Sequence, residues 1–283
     1  MNERAPFTAS DLAEMDDSLF SRASAVIAME DVHDGHRDPN AIGLRHDVDG
    51  TNSMTREALQ TAVRIAEWEA ERGYRATFYI LHTAPYWMAT GFAGALDRIA
   101  ELGHEIGIHS DALAEALVTG RDPDQILDEA LSTLRGLGFQ VRGVAGHGNP
   151  ICNREAGPGE GSFANDEQFL ECARPQEGEP NRTIERSRFG TTLTLRPRSL
   201  LDFGLEYEAL KVAYDGAEIM PFRISDSGGR WLNPGWEETV ERWQHEREHH
   251  PNTTVPSKTI RQLHFLWHPD WWQHAFTPVG ATV

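Results

Sequence analysis

Short apolar runs and amphipathic stretches alternate at least three times between residues 41 and 145. That rhythm limits the chain to a mostly parallel sheet with helices packed on it, either open or closed into a barrel. The strand-like runs are 41–46, 75–81, 104–109 and 139–144, and the segments between them are long enough for parallel crossovers. The helix over 55–72 carries Leu59, Ala62, Val63, Ala66 and Trp68 near helical spacing and stops at Gly73. A further helix spans 92–102. Another opens at Asp122-Pro123-Asp124-Gln125, with Asp as N-cap, Pro at the first position and Gln reaching back, and runs to about residue 137.

The rest of the chain is placed around this frame. An amphipathic helix over 9–30, within a lead-in spanning 1–40, precedes the first strand. From 146 to 198, Gly, Pro, Asn and Glu dominate, which predicts long loops over one face. Regular structure returns as a strand at 218–224, a helix at 236–249 and a strand at 262–267. The 283 residues suffice for one large domain or two small ones. Chemistry-bearing motifs run from residue 47 to residue 268, so a single closed domain over 1–283 is expected.

Arg45-His46-Asp47-Val48-Asp49 ends the first of these strands. Alternation sends Asp47 and Asp49 to one side and Val48 to the other. Two carboxylates held together are costly unless they share a cation or a proton, and the alternative is that they cap a turn. Metal-assisted hydrolysis needs one group to hold an ion and one to take a proton, and two close but inequivalent carboxylates can divide those tasks.

His109 ends another strand, followed by Ser110 and Asp111. It is a candidate ligand for zinc or a similar divalent ion, or else a hydrogen-bonded structural histidine. His104, five residues earlier, is read as structural. His147, between Gly146 and Gly148 and close to Asn149, is a ligand, a substrate contact or a plain turn residue. Asp226 lies where a strand gives way to Ser227-Gly228-Gly229-Arg230-Trp231. It either makes a turn or orients a catalytic histidine. His268 ends the last strand and is followed by Pro269-Asp270-Trp271-Trp272. A histidine beside indoles fits a general acid in a sugar-binding cleft, with Trp231, Trp271, Trp272 and Asn149 as substrate contacts. Core packing is the other reading of Trp271 and Trp272, although neighbouring residues cannot both face one way. His245, His249 and His250 lie in a charged helix and are expected to face water.

A formal net charge of -18 argues against nucleic acids and anionic membranes as partners; a small molecule or a glycan is expected instead. Only Lys211 and Lys258 are lysines. Cys152 and Cys172 make no disulfide framework, and free thiols are expected. The first residues show neither a basic n-region nor an apolar h-region, and no apolar run approaches a membrane span. The expected setting is therefore cytoplasmic, with oligomeric state left open.

His46-Asp47-Val48-Asp49, then Ala76-Thr77-Phe78-Tyr79, then Gly103 to His109, then Leu266-Trp267-His268-Pro269 follow one another in an order that resembles the polysaccharide deacetylases. These form the NodB-homology, carbohydrate esterase group 4 family, and the Asp-Val-Asp form is similar to a divergent branch of it. The resemblance covers roughly residues 41–270. It implies a distorted (β/α) barrel of about seven parallel strands, with Asp47 as general base, Asp49 and His109 as metal ligands and His268 as general acid. The reaction implied is hydrolysis of a C–N amide bond, foremost the removal of an acetyl group from an amino sugar or glycan intermediate, with Zn2+ the first choice of metal.

Two departures from that pattern lie inside the site. The family's second histidine, four residues after the first, is here Leu113, which leaves His147 as the candidate third ligand. The family's arginine that tethers the base has no counterpart in Ala145-Gly146-His147. Two rival functions follow: metal-free hydrolysis of a small cyclic amide or ureide, and a carbohydrate-binding pseudoenzyme.

Overall fold

A computed structural model describes residues 7–36, 38–50, 57–153, 164–172, 183–188, 190–210, 222–227, 229, 231, 235–249 and 262–276. Its strands are β1 (Val26–Ile27), β2 (Ile42–Val48), β3 (Thr77–Leu81), β4 (Glu105–Ser110), β5 (Gly143–Gly146), β6 (Ile184–Arg188), β7 (Thr191–Leu195), β8 (Tyr207–Glu208), β9 (Arg223–Ser225) and β10 (Leu263–Trp267). Seven of them form one hydrogen-bonded path, β8-β5-β4-β3-β2-β10-β9, with every pairing parallel, and β1 adds to β2. The sheet curls into a half-barrel flanked by helices, as the alternation of segments predicts. β8 and β9, at the two ends of the path, do not pair with each other among the described residues.

The helices α1 (Ala9–Ser18), α2 (Met29–His33), α3 (Ala58–Ala70), α4 (Phe92–Glu101), α5 (Ala112–Thr119), α6 (Pro123–Gly136), α7 (Pro150–Asn153) and α8 (Trp236–His249) complete the order. α3 buries Leu59, Ala62, Ile65, Ala66 and Glu69 at helical spacing. Glu69 is tolerated there because His46, on the outer face of β2, lies 2.8 Å from its Oε1. His104 is structural, as read: its Nδ1 accepts from Ala76 N–H and its Nε2 lies 3.0 Å from the Ala66 carbonyl. Asp122 caps α6 through Asp124 N–H, with Pro123 at the first position. Gln125 does not reach back to the cap; it donates instead to Glu129, one turn on.

Three expectations need correction. The helix expected over 9–30 is broken: α1 ends at Ser18, and Val26 and Ile27 pair with Ile42 and Gly43 as β1 before α2 begins. An edge pairing of two apolar residues wins over helical continuity there. The strand expected at 139–144 starts only at Gly143. Within 146–198 the described residues are not all loop, since β6 and β7 form an antiparallel hairpin. The expected helix start at 55–56, residues 218–221 of the expected strand at 218–224, Gly228, Arg230 and His250 lie outside the described residues.

Apart from the His46–Glu69 pair, the outer face of the sheet is mainly apolar; Phe20 packs edge-on against Phe265 and Trp267 at 5.2 and 5.5 Å. The inner face carries the polar residues of the motifs, and two glycines make room there. A Cβ on Gly107 would stand 2.5 Å from the Tyr79 ring and 3.1 Å from the Gly143 carbonyl. Gly107→Ala is therefore expected to lower the unfolding free energy by about 1–3 kcal/mol in urea titration. An unchanged midpoint would mean that Tyr79 can swing aside. Gly50 follows Asp49 at φ +65, with a Cβ position 2.7 Å from the Tyr86 ring, so only glycine permits the turn that leaves Asp49 at the lip. Among the described residues, no helix is long and apolar enough to cross a membrane.

Candidate active site

Parallel strands all end on the same rim, and that rim collects the functional groups. Asp47 lies on β2 and Asp49 just past its end. His109 is on β4, His147 follows β5, Asp226 follows β9 and His268 follows β10. Asp47, Asp49, His109, His147, His268, Asn149 and Trp271 line one cavity of about 850 Å³, within the usual range for a small-molecule site.

Asp49, His109 and His147 present donor atoms that all lie within 4.8 Å of one another. His109 Nε2 is 3.2 Å from Asp49 Oδ1, and His147 Nε2 is 3.8 Å from the same oxygen. Around a tetrahedral zinc with bonds of about 2.0–2.1 Å, neighbouring ligands stand roughly 3.3 Å apart. Outer partners aim both imidazoles. His109 Nδ1 is 2.9 Å from the Ala145 carbonyl, which can only accept, so Nδ1 carries a hydrogen and Nε2 is the nitrogen turned toward Asp49. His147 Nδ1 lies 3.2 Å from Asp111 Oδ1, an electrostatic contact rather than a well-angled hydrogen bond. Asp49 Oδ1 is itself buried, with no well-angled hydrogen bond among the described residues. Two imidazole nitrogens and a carboxylate oxygen thus converge, a donor set that suits a divalent cation.

Burial would raise the Asp49 carboxyl, but His109, His268 and His147 outweigh it and hold the group well below the usual carboxylate range. Asp47 is likewise held down, with Arg45, His109 and His268 overcoming its burial, so it stays an anion able to accept a proton. Burial works against a charge on His268, yet Asp226 raises it to about 10. Asp226 Oδ1 lies 2.6 Å from His268 Nδ1. The same carboxylate accepts from His268 N–H at 3.1 Å and from Trp272 Nε1–H at 2.7 Å.

Trp272 is therefore no substrate contact. Its exposure is 0 %, its ring stacks on Phe7 and Trp267, and its N–H serves Asp226. Trp231 is likewise absent from the cavity wall and packs against Phe7, Phe265 and Trp272. The turn after His268 sends Trp271 out and Trp272 in, so only Trp271 of the three faces the cavity. Asn149 does line it, while donating to Asp111 at 2.7 Å and capping α7 through Ile151 N–H. Leu113 is buried among Leu117, Cys152, Ile184 and Leu195, on the side of α5 that meets the hairpin. Cys152 and Cys172 are not joined in a disulfide.

Two residues of the site were not singled out from the sequence. Arg45 Nη2 donates to Asp47 Oδ2 at 2.9 Å, so Asp47 is tethered from its own strand, two residues away. The alternation that pairs Asp47 with Asp49 also puts Arg45 on that face, and this was the signal to follow. Asp111, two residues after His109, holds His147 and is itself held by Thr83, Asn149 and Asn165. Asp111→Asn is expected to weaken zinc affinity about 10–100-fold while leaving the fold intact, as read by competition with a chelating dye. Affinity equal to wild type would show that His147 needs no such orienting partner.

Compared with known proteins, the chain matches no family model, no curated protein and no solved structure. The functional reading rests on the site alone.

Proposed function

We propose that this protein is a metal-dependent hydrolase of C–N amide bonds, acting foremost to remove an acetyl group from an amino sugar or glycan intermediate. The observation that carries the proposal is the meeting of a three-donor cluster able to hold a cation, a tethered carboxylate and a hydrogen-bonded His–Asp pair on one cavity. Asp49, His109 and His147 would hold the ion. A divalent ion in such a site polarises the scissile carbonyl and acidifies water.

The chain's own residues then divide the proton work. Asp47, fixed by Arg45 and kept ionised, takes a proton from the attacking water. His268 starts protonated because Asp226 stabilises its charge, and it gives that proton to the departing amine nitrogen. Trp271 offers an indole face beside His268 for a sugar ring. Two histidine Nε2 atoms that converge on one carboxylate oxygen favour this reading over metal-free hydrolysis.

The test is amine release from a panel of N-acetylated amino sugars by zinc-loaded protein, with Asp47→Asn alongside. Release that falls about 10²–10⁴-fold in the variant supports the proposal. Binding of the sugars without release by either protein would favour a binding function instead.

A further inference from the structure

The chain carries 44 acidic residues against 26 basic ones, yet one wall of its cavity is built around arginines. β2, β10 and β9 are consecutive neighbours. In their register Arg45 stands opposite Leu266, and His264 stands opposite both Gly43 and Arg223. Arg45, Leu266 and Arg223 all line the cavity, so these strands turn arginine, histidine and leucine, and arginine toward the inside.

Arg45 uses Nη2 on Asp47, but its Nε and Nη1 have no hydrogen-bond partner among the described residues, and its side chain is only 3 % exposed. His264 is buried with neither ring nitrogen partnered among those residues. Burial first, then the charges of Arg45 and Arg223, push it well below the usual histidine value, so it is a neutral donor and acceptor. Buried guanidinium and imidazole N–H groups without acceptors are costly, and an oxyanion is the acceptor that suits an arginine fork best.

The position of this wall says which half of a substrate it would meet. The cation donors lie at β2, β4 and β5, and the proton donor His268 at β10. Arg223 and Ser227 lie beyond His268, on the side of the leaving amine.

Resting on the hydrolase reading above, we propose that the amine-bearing half of the substrate carries an oxyanion, a carboxylate or a phosphate, seated on the Arg45–Arg223 wall. A neutral sugar would offer no charged acceptor to Arg45 Nε and Nη1, and the charged group would fix the ring so that its amide lies between the cation donors and His268.

The experiment is calorimetric titration of zinc-loaded protein with N-acetylglucosamine, N-acetylglucosamine 1-phosphate and N-acetylmuramic acid, at low and high salt, for wild type and Arg223→Gln. At least one charged sugar is expected to bind at least about tenfold tighter than the neutral one, with the advantage shrinking in salt and falling to about twofold in the variant. The phosphate and carboxylate arms tell the two anions apart. Equal binding of all three sugars, no binding by any, or an advantage that survives Arg223→Gln would each overturn the proposal.

Amine release is followed on the same samples. Tight binding of a charged sugar without release leaves the anion seat standing and removes the hydrolase reading. Equal binding and release for neutral and charged sugars does the reverse.

Discussion

Zinc content is expected to fall from about one ion per chain in the wild type to less than about a tenth in Asp49→Ala and His147→Ala, as read by elemental mass spectrometry on protein purified without a histidine tag. Asp49 Oδ1 is the point on which both Nε2 atoms converge, so its loss leaves two imidazoles and no anion. On the proposed reading His147 would be the third ligand, because Leu113 packs against the hairpin side and has no donor atom to offer. The site also has a pH signature. Burial opposes a charge on His147, but Asp111 and Asp49 outweigh it and raise its pKa above the usual value. That proton must leave before Nε2 can bind a metal, so zinc affinity should weaken on acidification, starting at a higher pH than for an ordinary histidine. A wild type that takes up no metal even after reloading would remove the centre. Full zinc retention in His147→Ala would place the third ligand elsewhere.

Asp226→Asn carries the second large effect. In the wild type the buried His268 is raised to about 10 by the charge and hydrogen bond of Asp226. Asparagine removes the largest opposing charge and leaves burial countered only by the weaker pull of Asp49 and Asp47, so the titration midpoint of His268 by NMR should drop well below about 10, toward the ordinary histidine range. At neutral pH the proton needed by the leaving amine would then be largely absent, and kcat/KM should fall about 10²–10⁴-fold, with the alkaline limb of the profile moving down. Stability follows the same linkage. A histidine raised in the folded state contributes its full stabilisation below about 6.5 and loses it as pH climbs toward 10. The wild type's margin over Asp226→Asn in chemical unfolding should therefore narrow across that window. An unmoved His268 midpoint would show that another group supports the charge.

Much of the site was legible because strand parity is a local property. Asp47 and Asp49 share a face by alternation alone, and the apolar runs ending in His109 and His268 mark strand exits before any contact is known. Arg45 was legible by the same parity, two residues before Asp47. The facing of Trp271 and Trp272 was not, because a short 3₁₀ turn after His268 sets it, and periodicity has no hold on a single turn. The break at Ser18 was hidden for a related reason. Val26 and Ile27 suit either a helix face or a strand, and only the presence of β2 beside them decides for the strand.

By itself, the sequence determined the alternating architecture, the strand exits at which polar groups gather and the side of each strand on which they stand. These follow from backbone geometry repeated every two or every 3.6 residues. Only the tertiary structure decided which exits are neighbours. The order β5-β4-β3-β2-β10-β9 brings His147 to Asp49, Asp226 to His268 and Arg223 to the wall that Arg45 begins. That order is set by how the whole sheet buries its faces against the helices, a condition that no local stretch of sequence contains.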